Sequence, residues 1–327
     1  MQSRLGLLRS HCLTRTIKDI FPRYKTMAGF LCKRKAGWDT HGLPVEIEVC
    51  KELGILDGGK AAIEEYGIEG FNRKCLDSVF RYQRDWEEMT DRIGFWVDLD
   101  EAYITYLQTY VESVWWSLKQ LFDKGLLYQG HKVVWWWAQG GTALSAGEVG
   151  EGYRDTDDPA ITVRLNLTDE SKAQLNLQDK NASLLIWTTT PWTLSSNCAA
   201  CVGADIEYAI VRNALDAGGE EYLVLAKALV EKNFGEEAEV VRTLSGAELV
   251  GISYVPLFAY DTPVDVLTQQ PSNKHWQVIA GDFVDLETGT GIVHIAPAFG
   301  EDDYRICREQ GVGFLCFVKP DGTFDER

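Results

Sequence analysis

Three short segments of this 327-residue chain gather side chains able to do chemistry. The first is Gly37-Trp38-Asp39-Thr40-His41-Gly42-Leu43-Pro44. A carboxylate and an imidazole sit there between glycines, at the mouth of a strand-to-helix turn, where α/β folds bind ligands. Asp39 can pair with an ammonium, and the helix N-terminus beyond Leu43 can host an anion. The same residues also read as a helix cap, Asp39, and a polar loop histidine, His41. The second segment is Trp187-Thr188-Thr189-Thr190-Pro191-Trp192-Thr193-Leu194. Its four hydroxyls, fenced by two tryptophans and a proline, can donate and accept toward a ribose or a small amino acid. They can equally satisfy one another at a threonine-rich strand end. The third runs from Thr288-Gly289-Thr290-Gly291 through Val293-His294-Ile295-Ala296-Pro297 to Phe299-Gly300-Glu301-Asp302-Asp303-Tyr304. Glycines allow a tight turn before a strand, His294 falls near one strand end, and a helix opens at Asp302 to Asp303. The imidazole of His294 and the carboxylate of Asp303 can therefore converge on one pocket. The plainer reading makes His294 a core residue and Asp302 a helix cap.

The elements that must position these groups fall into two styles. Up to about residue 150, helices alternate with short apolar strands. Helices are predicted over Thr16 to Met27, bent at Pro22, and from Pro44 to a stop at Gly54. Apolar residues between Phe71 and Ile93 keep helical spacing. Thr109 and Glu112 form a capping box for a helix that ends at Gly125. The run Val133-Val134-Trp135-Trp136-Trp137 reads as a buried strand. This βα alternation fits half of a doubly wound sheet. Beyond residue 150 the chain turns to short strands, at Ile161 to Leu167, Leu184 to Thr189, Ala209 to Arg212, Tyr222 to Ala226 and Gly291 to Ala296. Helices are expected at Ala226 to Phe234 and Asp302 to Gln310. The expected architecture is α/β: a partial Rossmann-type domain over 1–150, then a mixed β-barrel-like domain over 151–327.

Charge divides the same way. Residues 1–150 balance at -1, whereas residues 151–327 carry -16. A surface that acidic is no general nucleic-acid coat, because phosphate contacts need clustered cations. Hydrophobic content of 45% and charged content of 25% are those of a globular protein, and no run of about 18 apolar residues suggests a membrane span. Eight scattered cysteines without a secretory signal fit reduced thiols in the cytoplasm. Cys198 and Cys201 form the one CxxC pair; no second pair or histidines follow at ligand spacing, so both read as apolar filling and no zinc site is expected. Arg4, Arg9 and Arg15 precede the first acid, Asp19, a composition like that of an organellar presequence.

Taken together, the segments resemble the isoleucyl-tRNA synthetase family of class I aminoacyl-tRNA synthetases. The matching pieces are Thr16-Ile17-Lys18-Asp19, Gly37 to Glu46, Arg92-Ile93-Gly94, Thr142-Ala143-Leu144-Ser145, Trp187 to Asn197 and Thr288 to Tyr304, in the family's order over nearly the whole chain. The resemblance implies a catalytic Rossmann fold, of which 1–150 would be the first part, interrupted by an editing domain. It implies that Asp39 holds the amino group of isoleucine, with His41 beside it. It further implies that Thr188, Thr189, Thr190, Thr193, Asn197, His294 and Asp303 line an editing pocket. There Asp303 would grip the amino group of a misattached residue and His294 would help exclude isoleucine. The partners implied are tRNA, isoleucine and ATP with Mg2+. Ser195 stands where the family usually has proline, and Trp137 and Gly140 stand where many relatives have cysteines.

The family's His-x-Gly-His signature should fall on Leu8-Arg9-Ser10-His11, where only His11, the expected ATP-binding residue, matches. The arginine-rich start then reads as a degraded or misassigned beginning of a gene fragment. The Lys-Met-Ser-Lys-Ser loop, the second half of the sheet and the anticodon-binding domain are likewise not found. Three functions remain open on this reading: a piece of an isoleucine-tRNA ligase, unable to charge tRNA alone; a stand-alone hydrolase of mischarged tRNA; or a non-catalytic tRNA-binding remnant.

Overall fold

The computed structural model describes residues 4–215, 218–266 and 268–326. The chain forms two compact units, one up to Gly130 and one from His131 onward. Charge balance alone places the boundary some residues later. Residues 131–150 carry one lysine, Lys132, and one acid, Glu148, so charge is blind to them. Packing is not: the Trp136 indole donates to the Pro320 carbonyl at 2.7 Å, which ties this stretch to the second unit.

In the first unit, α1 (Arg4–Met27) leads to β1 (Lys35–Trp38) and α2 (Leu43–Leu53), then α3 (Gly59–Tyr66), α4 (Ile68–Val79), α5 (Gln83–Arg92), β2 (Asp98–Ile104) and α6 (Gln108–Asp123). β1 and β2 pair in parallel. The α2 helix starts and stops as predicted, with Pro44 in its first turn and Gly54 in the left-handed conformation as its cap. A small core forms around Val49, Cys50 and Phe71. Asp19 anchors α1: it accepts from Arg34 and Arg23 side chains and from the Trp96 amide. Against the upward push of burial, those bonds hold its carboxyl below the ordinary range.

Several expectations for this half need correcting. The first helix begins well ahead of Thr16, because the stretch before it is rich in leucine and arginine, both good helix formers. The helical spacing over 71–93 belongs to two helices, broken at Phe80 to Tyr82, where Arg81 pairs with Glu52. No capping box forms at Thr109: α6 opens one residue earlier and the Glu112 carboxylate accepts from Gln108 at 2.8 Å instead.

The second unit opens with a two-stranded pair, β3 (Trp136–Trp137) and β4 (Thr142–Ala143), and α7 (Ala146–Glu151), which Ser145 and Glu148 start as a capping box. The expected buried strand over 133–137 is thus only two residues long, and Val134, Trp135 and Trp136 are about half exposed. Their apolar character says nothing about what covers them. Then follow β5 (Ile161–Asn166), α8 (Asp169–Gln174), β6 (Ala182–Thr188), β7 (Ala199–Val202), β8 (Glu207–Ala214), β9 (Glu220–Ala226), α9 (Val230–Phe234), β10 (Glu239–Ser245), α10 (Gly246–Leu249), β11 (Val278–Ala280), β12 (Val293–Ile295) and α11 (Glu301–Gln310). β5 to β12 form one mixed sheet of eight strands, in the order β10-β8-β9-β6-β12-β7-β11 with β5 also on β6.

β6 is the hub of this sheet. Along one edge it pairs antiparallel with β5 over its length; its other edge is shared, β9 taking Ala182–Leu184 and β12 meeting Trp187, both in parallel. Both faces are covered, which explains why these strands read as continuous apolar runs. Leu184 and Ile186 enter the main core with Tyr208, Ile210 and Val224, whereas Leu185 enters a second cluster with Ala209, Val211, Leu223 and Leu225. Cys198, Cys201 and Cys307 fill a third cluster with Ile295 and Ile306, and burial pushes the thiols of Cys198 and Cys201 up to about 12. They are apolar filling, as their surroundings require.

Tyr208 shows how the sheet is pinned near the strand that carries His294. Its fully buried hydroxyl accepts from the Gly203 amide at 3.0 Å and donates to the Gly291 carbonyl at 2.8 Å. Tyr208→Phe leaves both backbone groups buried without partners, so it is expected to lower unfolding stability by ~1–3 kcal/mol. A urea titration checks this, and an unchanged midpoint would show that the hydroxyl contributes nothing.

Candidate functional site

One cavity of about 340 Å³ in the second unit brings the second and third segments together. Thr188, Thr189, Thr190 and Thr193 line it from the end of β6 and the turn after it, and His294 and Asp303 from β12 and α11. The parallel contact between β12 and β6 at Val293 and Trp187 is what sets the two segments side by side. Pro191–Ser196 then winds into a short 3-10 turn that carries Thr193 inward. Trp192 and Phe299 meet edge to face at 4.9 Å.

The glycines of the third segment are required by closeness. Gly291 has a positive φ of 72°, and a Cβ there would fall 2.3 Å from that of Ala226. A Cβ on Gly300 would fall 2.7 Å from Cγ of Asp303. That close approach lets α11 begin at Glu301, with Asp303 in its first turn and Gly300, not Asp302, as the cap.

Hydroxyls and ring are knit together. Thr188 Oγ1 accepts from the Thr190 amide at 3.0 Å and lies 3.2 Å from Thr190 Oγ1. Thr193 Oγ1 donates to the Thr190 carbonyl at 2.8 Å and lies 2.9 Å from His294 Nε2. On the other side of the ring, Asn197 Nδ2 is 2.8 Å from Nδ1. His294 is 7% exposed, and burial holds its imidazole down to about 4, so it is neutral at pH 7. Asp303 Oδ2 accepts from the Ala296 amide at 2.8 Å. Burial pushes its carboxyl up to about 6 against that bond, and the Asp302 charge adds to the rise. No side-chain donor among the described residues reaches the Asp303 carboxylate. At pH 7 it is thus a partly buried anion facing a cavity without a cation to pair it.

Asn197 does not line the cavity. It stands behind His294, buried, with its Oδ1 accepting from the Tyr254 hydroxyl at 2.6 Å and its carbonyl accepting from the Trp276 indole at 3.1 Å. Tyr254 and Trp276 belong to no motif. They lie in an irregular stretch joined to the sheet by isolated bridges and backbone bonds, and no sequence signal around them points to the site.

The first unit has its own cavity, of about 580 Å³, lined by His11, Thr14, Arg15, Lys18, Gly37, Trp38, Asp39 and Trp86. The His11 ring meets Trp86 edge on at 5.1 Å, and the Arg15 guanidinium lies 4.9 Å from the centre of the same indole. Asp39 is exposed and its Oδ1 accepts weakly, at 3.4 Å, from the His41 amide. Asp39 caps no helix: Gly42 holds the cap position of α2 without a side-chain bond. The His41 side chain is exposed and is not part of this cavity.

Comparison with known proteins decides the family. The model for class I tRNA synthetases of the I, L, M and V group matches residues 6–288. The chain belongs to this class I tRNA synthetase family. It is 48% identical over 316 residues to isoleucine–tRNA ligase of Clostridium kluyveri, covering 97% of this chain, and 47% identical over 312 residues to that of Thermus thermophilus, covering 95%. The chain spans 28% of the length of each of these synthetases. Among solved structures, the editing domain of cytosolic leucyl-tRNA synthetase from P. knowlesi is similar over 49% of this chain and 66% of its own, with a TM-score of 0.36 at 14% identity. No helix among the described residues is long and apolar enough to cross a membrane.

The two shifted titratable groups of this cavity pull stability in opposite directions. Asp303, raised to about 6 from 3.8, binds more protons folded than unfolded, so its contribution is full below about 3.8 and is lost as pH rises to about 6. His294, lowered to about 4 from 6.5, binds fewer, so its contribution is present above 6.5 and is lost as pH falls to about 4. In the parent chain the two slopes largely cancel between pH 4 and 6. Asp303→Asn is expected to uncover a rise in stability with pH over that range, and His294→Gln a fall, each of at most ~1.4 kcal/mol per pH unit. Urea midpoints measured at half-unit steps check this; parallel profiles for parent and both variants would show that neither group is shifted.

Proposed function

We propose that the second unit is an editing hydrolase that clears valine wrongly attached to isoleucine tRNA, and that the chain is part of an isoleucine-tRNA ligase. The single observation that carries the proposal is Asp303, a half-buried anion in a cavity lined by hydroxyls, a neutral imidazole and a second carboxylate, Asp285, with no lysine or arginine among the lining residues. An aminoacyl ester brings the missing cation, since its α-amino group is an ammonium, and a charge-assisted hydrogen bond to a carboxylate is of the stronger kind. The hydroxyls of Thr188 and Thr189 suit the terminal ribose, and Thr190, Thr193 and His294 bound the space for the side chain. His294 has no role as a base in this scheme, because both of its nitrogens are engaged within the protein. Water adds to the ester carbon, the bond from that carbon to the tRNA ribose oxygen breaks, the proton given up by the water ends on the ribose oxygen, and free valine is released.

Such a second site meets a physical need. One methylene in an apolar pocket discriminates by only ~1–3 kcal/mol, a limit for which the isoleucine enzyme's handling of valine is the standing illustration. In the complete protein, we propose, the first unit belongs to the ATP-dependent charging site, with Asp39 toward isoleucine, His41 near it, His11 toward ATP, and Mg2+ accompanying the nucleotide. The eight free cysteines suit a reducing cytoplasm. A free-standing hydrolase uses the same cavity and differs only in what the chain is attached to. A remnant that merely binds tRNA has no use for a half-buried carboxylate without a cation beside it.

Asp303→Ala is expected to cut hydrolysis of valine-charged tRNA by about 100-fold or more, through misplacement of the ester as well as lost affinity. Asp303→Asn keeps an oxygen for the Ala296 amide and should lose as much rate while retaining the fold by circular dichroism. Either folded variant clearing valine at the parental rate would reduce Asp303 to a helix-start residue.

A further inference from the structure

Behind the cavity wall, a chain of hydrogen bonds runs from a buried tyrosine to the threonine-rich turn, and its donors and acceptors can be assigned in one way. Asn197 Nδ2 donates to the Ala199 carbonyl at 2.9 Å, because a carbonyl there can only accept. The amide oxygen is then on the other side, where it accepts from the Tyr254 hydroxyl at 2.6 Å. The second hydrogen of Nδ2 is directed at His294 Nδ1, 2.8 Å away, so Nδ1 is the acceptor and the ring proton sits on Nε2. Nε2 donates to Thr193 Oγ1 at 2.9 Å, and that hydroxyl donates onward to the Thr190 carbonyl at 2.8 Å. Every proton in the chain is used once. Among the described residues, no buried side-chain nitrogen or oxygen is left without a partner.

We infer that Tyr254 is a specificity-determining positioning residue: through Asn197 it fixes the His294 imidazole as the Nε2–H tautomer, in one orientation, as a rigid wall of the aminoacyl pocket. This rests on the editing function proposed above and names what gives that site its selectivity. Tyr254 does not line the cavity and lies at 2% exposure in the main core. Its role is therefore indirect. Valine and isoleucine differ by one methylene, and a close-packed wall rejects that group only if it does not yield. Without the Tyr254 hydroxyl the amide oxygen of Asn197 is buried and unsatisfied, and the cheapest relief is rotation of the amide, which frees the ring. Trp276, whose indole holds the Asn197 carbonyl, fixes the backbone end of the same residue but leaves the amide free to turn.

The tautomer is directly measurable by long-range proton–nitrogen correlation in the 327-residue chain, with His294→Gln identifying the resonances. The parent is expected to show a single Nε2–H pattern, and Tyr254→Phe a mixed or exchange-averaged one. Asn197→Asp retains an acceptor for Tyr254 but offers the ring a carboxylate, and is expected to move the proton to Nδ1. In deacylation, Tyr254→Phe should lower the ratio of valine to isoleucine clearance about tenfold, the equivalent of about 1.4 kcal/mol. An Nδ1–H parent, or a Tyr254→Phe chain with the parental tautomer and the parental ratio, overturns the inference. The tautomer measurement needs no tRNA. A parent that clears no valine therefore overturns the editing function and the specificity role with it, while the hold of Tyr254 on the ring is still read from the nitrogen shifts.

Discussion

A half-buried carboxylate with no cation beside it is a debt the fold must carry, and in the second unit that group is Asp303. Burial lifts its carboxyl to about 6, yet at neutral pH it is charged. The backbone offers it the Ala296 amide and its own, while the Asp302 charge works against it and no side-chain donor among the described residues reaches it. Everything around it follows from tolerating this charge while leaving it usable. Gly300 keeps Cβ space open against the carboxylate, and α11 begins at once, so the dipole of its first turn faces the anion. The opposite wall is made of hydroxyls that are already bonded to one another and of an imidazole that cannot become a competing cation. Burial keeps the ring neutral.

The scaffold that maintains this arrangement is β6. With β5 on one edge and β9 and β12 dividing the other, the strand brings Trp187 beside Val293 and so sets a threonine-rich turn opposite a histidine distant in sequence. Because both faces of the sheet are covered, a shift by one residue would exchange Leu184 and Ile186 with Leu185 between two separate cores, which fixes the register firmly. The cavity-lining groups are carried largely by segments at strand ends, held by strands that cannot slide.

Much of this was readable from residue types and spacing. Residue types and spacing bring His294 toward Asp303, and the family resemblance adds the threonines at 188, 189, 190 and 193; these six line one cavity, whereas Asn197, implied with them, stands behind it. The start of α2 at Pro44 and its stop at Gly54 also follow from local chemistry alone. What escaped the sequence is nonlocal. Tyr254 reaches Asn197 across 57 positions from a stretch with no periodicity, and nothing in its neighbours marks it. The strands Ala199–Val202, Glu239–Ser245 and Val278–Ala280 also escaped: the first and last are short, the first reads as small residues around a CxxC pair, and Glu239–Ser245 has its apolar run broken by Arg242 and Thr243. The tryptophan run at 135–137 misled in the opposite direction, since composition signals a wish for burial and only the fold says whether it is granted.

The account stands or falls on whether an aminoacyl group with a free ammonium enters the second-unit cavity. A non-hydrolysable 3′-valylamide of adenosine, titrated into the chain while amide and imidazole resonances are followed by NMR, asks this without any turnover. The account predicts saturable shifts centred on Ala296, His294 and the threonine turn, weakening as pH falls through about 6, the value near which Asp303 takes up its proton. Saturable binding with no change at those residues, or no binding at any pH, would contradict it.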